Sequence, residues 1–307
     1  MVLLSPPIAH TPYDGSSKPF NIGVRPLDTK DWVEVDTNLS AYLNEKARHY
    51  RDDRQQVIVS EETSVEVQGE VLHLLSEHVC KCYPDIYRQT ESSIDILDGQ
   101  FHVALNDQSL PPLAIAAQLV QEDLVLMSPS PDGWRLVAAS LCFPSAWNLL
   151  EKFGHPLHKV HGPVPGFGTG TRNASVIDRM FDNLRPEQPV MRWNWSLHED
   201  GQLHHPTSHS GSESRFGNGD IGGHVFLRVE RQTLRKLPKT GDIVFTVRIY
   251  LDPLEVLEKM PDGAQLAAAI DEQLSVFSSE QESYKGLVGE RQRLSERLNC
   301  IIASHRT

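Results

Sequence analysis

The chain has 307 residues, enough for a sizeable core in one large domain or two small ones, and its 41 acidic against 29 basic side chains give a net charge of -12. That balance lacks the concentrated basic footprint of a nucleic-acid surface. The four cysteines, Cys80, Cys82, Cys142 and Cys300, are too few for a disulfide framework, the first apolar run ends at Pro6 without a basic leader, and no run approaches the roughly 18 apolar residues of a membrane span, so a soluble, cytoplasmic protein with reduced thiols is expected.

Residues 1–30 are rich in proline and turn formers and read as an extended arm, packed through Phe20, Ile22 and Val24. Apolar residues at helical spacing then predict helices over 36–52, with Leu39, Tyr42, Leu43 and Ala47 near one face, and over 63–83, with Val67, Val71, Leu74, Leu75 and Val79. Pro84 ends the second. Cys80 and Cys82 on that helix point about 200 degrees apart, a poor chelate. Residues 85–112 show no single period, and Pro111-Pro112 mark a boundary.

A hairpin follows, with strands over 118–127 and 134–142 around the turn SPSPDG. Pro144 reads as the first residue of a helix reaching Phe153. The stretch GHPLHKVHGPVPGFGTGT, 154–171, is irregular and dense in Gly, Pro and His, the kind of loop that carries chemistry on a rigid scaffold. A helix beginning at Asn173 or Ser175 and ending at Leu184 comes next. In the strand over 190–197, Met191, Trp193, Trp195 and Leu197 alternate with Arg192, Asn194 and Ser196. A polar loop, 198–223, leads to the strongest feature of the chain.

This is the hairpin over 224–254, whose strands, 225–234 and 243–251, flank a turn of Pro238, Lys239, Thr240 and Gly241. Ile243, Phe245, Val247, Ile249 and Leu251 share a face that reads as the core face, opposite Val244, Thr246, Arg248 and Tyr250. In the partner strand, Val225, Leu227 and Val229 are followed on the same face by Arg231 and Thr233, while Arg228, Glu230 and Gln232 point the other way. The outer three are expected to bond to the N-terminal helices. A guanidinium in an apolar interior must meet an acid, backbone carbonyls or a ligand. For Arg231 the choice lies between a structural salt bridge, with Glu122, Asp123 or Glu230, and a bound ligand. Residues 255–303 are helical and charged, with Leu257, Leu266, Ala269, Ile270 and Leu274 on one face, a packing or partner surface.

Two strands, then helices, then three strands make an α+β fold. A five-stranded antiparallel sheet with helices inserted after its second strand is the PAS plan, and no regular βα alternation supports a doubly wound sheet. Three parts are expected: an arm and helical cap over 1–112, the PAS-like core over 113–254 and a helical extension over 255–307.

The motifs leave alternatives open. His155, His158 and His161 lack neighbouring carboxylate or thiol partners for zinc; each is either an ordinary loop histidine or a single neutral imidazole able to hold haem iron. His161 has the most constrained backbone, before Gly162-Pro163-Val164-Pro165. Gly166, Gly168 and Gly170 lack the rest of a dinucleotide fingerprint, though their amides, with the helix near Asn173, suit a propionate. His204, His205 and His209 read as solvated. No G-x-S-x-G, H-E-x-x-H or Walker loop occurs.

VQEDLVLM (120–127), LCFPSAW (141–147), GHPLHKVHGPVPGF (154–167), MRWNWSL (191–197) and RVERQTLRKLP (228–238), with VRPLD (24–28) and FTVRIYLDPL (245–254), together resemble the α subunit of haem-dependent oxidative N-demethylases. The resemblance spans most of the chain in order. It implies a PAS-like domain binding haem b and using O2 to oxidise a methyl group of a small secondary amine, with release of formaldehyde. It also implies reductase partner subunits that carry FMN and a 2Fe-2S cluster and draw on NADPH. On matching positions it makes His161 the iron ligand and RVERQTL the distal wall, with Arg231 first and Arg228 and Glu230 behind it. A fixed cation in a dry cavity stabilises the negative charge that builds as dioxygen is reduced, which suits Arg231. Period-two alternation keeps Glu230 off that wall unless the strand bulges. A haem-binding sensor or interaction module without turnover, and a scaffold without haem, are the competing classes.

Overall fold

In a computed structural model describing residues 8–207, 215–217 and 221–305, two sheets are arranged among helices. The arm contributes β1 (Arg25–Pro26), followed by α1 (Leu39–Asp52), α2 (Arg54–Val57), β2 (Ile58–Ser60) and α3 (Val65–Cys82). A small sheet of β3 (Tyr87–Gln89), β4 (Ser93–Ile96) and β5 (Phe101–Ala104) occupies the stretch without a period. Then come α4 (Pro112–Ala117), β6 (Asp123–Ser130), β7 (Gly133–Ser140), α5 (Leu149–Lys152), α6 (Leu157–Val160), α7 (Arg172–Asn183) and β8 (Val190–His198). The second hairpin is β9 (Phe226–Lys236) and β10 (Ile243–Pro253), and α8 (Gly263–Ser275), α9 (Ser279–Tyr284) and α10 (Arg291–Ser304) close the chain. No helix among the described residues is long and apolar enough to cross a membrane.

The main sheet is antiparallel, in the order β1-β8-β9-β10-β6-β7-β2. Among the described residues it therefore has seven strands rather than the five expected. The five that periodicity indicates lie side by side in its middle; the two edges, β1 and β2, are two and three residues long, too short for any period to show. Two boundaries also differ. The first strand begins at Asp123, not residue 118, because the carbonyls of Ala117, Val120 and Glu122 converge on the buried ammonium of Lys46, at 2.9 and 2.8 Å for the first two, instead of joining a ladder. The helix expected from Pro144 shrinks to the single turn of α5, whose start is set by the Asn148 side chain accepting from the Leu150 amide at 2.8 Å.

The β9–β10 turn is held from outside. Glu70 of α3 accepts the amides of Lys239 and Thr240 at 2.7 and 3.0 Å, and Gly241 takes the left-handed φ of 77° that closes it.

Both faces of the sheet are covered, so alternation alone does not identify an inside. Val244, Thr246 and Arg248, expected to lie outside, are 0% exposed. They face the N-terminal layer, where Trp32, Leu75, Val79, Leu124 and Leu126 form one core with Val244. Further along the same face, Trp195, Leu227, Val229 and Tyr250 pack with Leu266, Ile270 and Leu298 of α8 and α10. The other face carries Val125, Met127, Leu234 and Ile243 against Leu157, Phe167, Ile177 and Phe181 of the inserted helices and their loop.

On the first face a strap formed by residues 31–36 satisfies the charges of the central strands. Arg231 lies 2.8 Å from Glu34 and donates to the carbonyls of Trp32, at 3.1 Å, and Asp31. Arg248 pairs with Asp36 at 2.8 Å, and the Thr233 and Thr246 hydroxyls meet at 2.7 Å. Arg231 is thus a structural ion pair, but with Glu34 rather than Glu122, Asp123 or Glu230. Burial pushes the Glu34 carboxyl up, and the hydrogen bond from His10, the Arg231 charge and the Tyr250 hydroxyl outweigh it, bringing it down to about 2 from 4.5.

A carboxylate lowered in this way contributes stability that is fully present above about pH 4.5 and lost as pH falls toward about 2. Glu34→Gln is expected to cost about 1.5–3 kcal/mol at neutral pH, the scale of hydrogen bonds to charged groups. Urea unfolding of both proteins should show that difference shrinking through this acid window; a difference independent of pH would contradict the role given to Glu34.

Candidate functional site

The second face of the sheet is not uniformly closed. β10 is the fourth of seven strands, yet its Phe245, Val247 and Leu251 are only half-buried, as are Gln232 of β9 and Arg192, Asn194 and Ser196 of β8. Apolar residues in the middle of a wide sheet are ordinarily covered by the layer above. Here Phe245 packs only partly against the cluster of Leu157, Phe167 and Phe181, and Val247 and Leu251 only partly against Phe143 and Ile249, and apolar side chains left partly uncovered on a central strand suit a ligand.

The loop after α6 borders this region. The His161 amide caps α6 by donating to the Leu157 carbonyl at 2.8 Å, the Gly162 amide donates to Lys159 at 3.1 Å and the Val164 amide to His161 at 2.9 Å, so the chain turns back immediately after the imidazole. Gly162 permits that turn: a Cβ there would stand 3.1 Å from the Lys159 carbonyl. Burial, with the charges of Arg192 and Lys152, lowers the His161 imidazole to about 4, leaving it neutral at physiological pH. His155 is exposed, and His158 and His161 are both half-buried. A cavity of about 570 Å³ opens beside the loop, lined by Gly162, Val164, Gly166 and Gly168 on one wall and Ser279, Glu280 and Tyr284 on the other. That volume lies within the range of roughly 300–1,000 Å³ usual for small-molecule and cofactor sites.

The sheet side is polar and ordered. Glu230 accepts from Asn194 at 3.1 Å and from Gln232 at 2.8 Å, and Arg228 stands 3.7 Å from its other oxygen. Arg228 also donates to the carbonyls of Phe143 and Leu203 at 2.7 and 3.1 Å. Arg192 donates to Gln232 at 3.3 Å and to the Asn21 carbonyl at 3.0 Å. Lys285, just beyond α9, donates to the Trp195 carbonyl at 2.7 Å and to Asn194 at 3.4 Å. Burial lowers its ammonium to about 8, Glu230 working against that shift.

The expected site residues therefore separate. Arg228 and Glu230 share the face of Arg192 and Gln232, whose charge reaches His161; Arg231 lies on the opposite face, under the strap. Arg231, expected to line the pocket, instead pairs with the strap, and Arg228, Glu230 and Gln232, expected to bond to the N-terminal helices, bond to Asn194, to one another and to the Phe143 and Leu203 carbonyls. Alternation correctly puts Arg231 and Glu230 on opposite faces, but the arm, not a ligand, covers the Arg231 side. Arg192, Tyr284 and Lys285 escaped sequence reading. Arg192 was visible as a charge in the middle of a strand, whereas nothing in the sequence around Lys285 distinguishes it from neighbouring surface charges. His204 and His205 are not simply solvated: His204 bonds the Cys142 carbonyl at 2.8 Å and stacks on His49 with ring centres 4.2 Å apart, and His205 bonds the Gln202 carbonyl at 3.0 Å. His209 lies outside the described residues. Among the described residues, no three His, Cys, Asp or Glu side chains converge as a metal set.

These features fit a porphyrin: one neutral imidazole that could hold the iron, partly uncovered apolar side chains for a flat macrocycle, and the guanidiniums of Arg192 and Arg228 on the same face of the sheet. The family model described as haem-dependent oxidative N-demethylase, alpha subunit-like, matches residues 23–294.

The state of the imidazole is directly measurable. Histidine-labelled protein followed by NMR should show His161 titrating near 4; a midpoint in the ordinary histidine range, about 6.5, would mean that the ring is not desolvated as described.

Proposed function

The chain belongs to the haem-dependent oxidative N-demethylase alpha subunit-like family, and from that premise we propose that it binds haem b in the cleft between the His161 loop and the second face of the sheet, with His161 on the iron. The substrate proposed is a small secondary amine, from which a methyl group is oxidised and released as formaldehyde. The observation that carries this reading is the pairing of a neutral imidazole with a partly uncovered patch on the central strand. In this reading residues 113–254 form a PAS-like haem core, with 1–112 and 255–307 as its coverings, in a soluble cytoplasmic subunit.

A bound haem, given electrons and dioxygen, supplies the oxidising power that side chains lack. The protein's part is orientation and electrostatics. The Lys159 and Leu157 carbonyls fix the turn that carries His161, and burial keeps its ring unprotonated, as an iron ligand must be. Phe245 and Val247 would give the facing wall an apolar surface that a bound ligand shields from water. Arg228 takes the role that the resemblance had given to Arg231: it lies on the other face of the same strand, fully buried, with Nε turned to Glu230 at 3.7 Å, where its charge would stabilise negative charge that builds during oxygen reduction. Glu230 holds the Asn194 and Gln232 amides in one orientation. An α-subunit-like chain implies further subunits, and we infer that electrons from NADPH pass through FMN and a 2Fe-2S cluster carried there.

Adding hemin to purified protein should produce a Soret band shifted from that of free hemin. His161→Ala should abolish the imidazole-ligated spectrum while His155→Ala and His158→Ala preserve it; an unchanged spectrum in the first variant would remove His161 from the iron. With chemical or enzymatic reduction, formaldehyde should appear from a dimethylamine-type substrate, and its absence with every small methylamine tried would leave a haem protein without this turnover.

A further inference from the structure

The polar floor of the cleft holds more positive charge than its own acids balance. Arg192 and Lys285 approach it from different elements, β8 and the residue after α9, and their shared acidic neighbour is Glu230, whose second oxygen Arg228 approaches at 3.7 Å. Neither Arg192 nor Lys285 forms a direct salt bridge with an acid among the described residues; each rests on neutral acceptors, Gln232 and the Asn21 carbonyl for one, Asn194 and the Trp195 carbonyl for the other. The Arg192 Nε atom is buried without a partner. Cations withdrawn from water in this way are costly unless an anion joins them.

The amides fix the direction of the whole array. Lys285 donates only, so Asn194 turns its oxygen to Lys285 and its NH2 to Glu230; Arg192 also donates only, so Gln232 turns its oxygen to Arg192 and its NH2 to Glu230. One Glu230 oxygen accepts both amides, so the carboxylate orders the acceptors of the two cations without a hydrogen bond to either cation. Tyr284, next to Lys285, lines the cavity together with the exposed Glu280 and lies within the fields of both Glu230 and Arg192.

We propose that Arg192 and Lys285 form a two-point cationic seat for the carboxylates of the cleft's ligand, which on the haem reading above are the two propionates. The C-terminal extension is then part of the cofactor site, since it supplies one of the two cations, and the seat selects a dianionic porphyrin over a neutral one. This deepens the haem reading and rests on it.

The experiment titrates purified apoprotein with hemin and, separately, with hemin dimethyl ester, following the Soret band. Wild-type protein should bind hemin about tenfold or more tightly than the ester, the factor that one charge-assisted hydrogen bond carries. The double variant Arg192→Met/Lys285→Met should bind hemin as weakly as the ester while its ester affinity stays at the wild-type value, which also reports an intact cleft. Equal binding of the two porphyrins by wild-type protein, or equal weakening of both in the variant, overturns the seat and leaves the haem reading standing. Failure of wild-type protein to bind either porphyrin overturns both.

Discussion

A sheet covered on both faces has no wet side on which to leave a charge, yet β9 and β10 bury Arg228, Arg231 and Arg248 at 0, 1 and 0% exposure. That constraint organises the molecule. A guanidinium cannot shed its proton to escape burial, so each of the three must be met where it stands. Arg231 and Arg248 are met by the strap over residues 31–36, which brings Glu34, Asp36 and two backbone carbonyls across the first face. The strap is itself tied down, because the Glu34 amide donates to Glu122 and the Tyr83 hydroxyl to the Val33 carbonyl, at 2.9 and 2.8 Å. The N-terminal segment is therefore a structural component of the sheet.

Arg228 is solved differently, and the difference separates the two faces by role. It has two carbonyls and a carboxylate at 3.7 Å, and around it the floor of the cleft keeps Arg192 and Lys285 on neutral acceptors. The first face is electrostatically closed by its own chain. The second is only partly covered over its central strand, and there Arg192, Arg228 and Lys285 gather around one acid, Glu230, with Glu280 on the wall of the neighbouring cavity. On the haem reading, the neutral His161 imidazole near it would be the donor to the iron.

Much of this was legible in the sequence. Strict alternation located β8, β9 and β10 and their faces, and the GPVP segment singled out His161. Parity also separated Arg231 from Glu230 correctly. What alternation could not reveal was which face a ligand would meet, because that depends on what packs above each side: Glu34, remote in sequence from Arg231, covers one, and α9 borders the other. A burial pattern also misleads when both faces are covered, as Val244 and Thr246 show. β1 and β2 escaped because strands of two or three residues have no period, and Lys285 because its meaning comes from Asn194 and Trp195, which only folding brings near. The run over 118–122 looked like strand, and the ammonium of Lys46 drew its carbonyls out of any ladder.

The central claim is that the ligand face is the one carrying Phe245, Val247, Glu230 and Gln232, and that the face of Arg231 belongs to the fold. A crystal structure of the protein loaded with hemin tests it most directly. The account predicts the porphyrin over Phe245 and Val247, His161 on the iron, and the strap over residues 31–36 undisturbed, with Arg231 still paired to Glu34. A porphyrin on the Arg231 side, or an iron ligand other than His161, would contradict it.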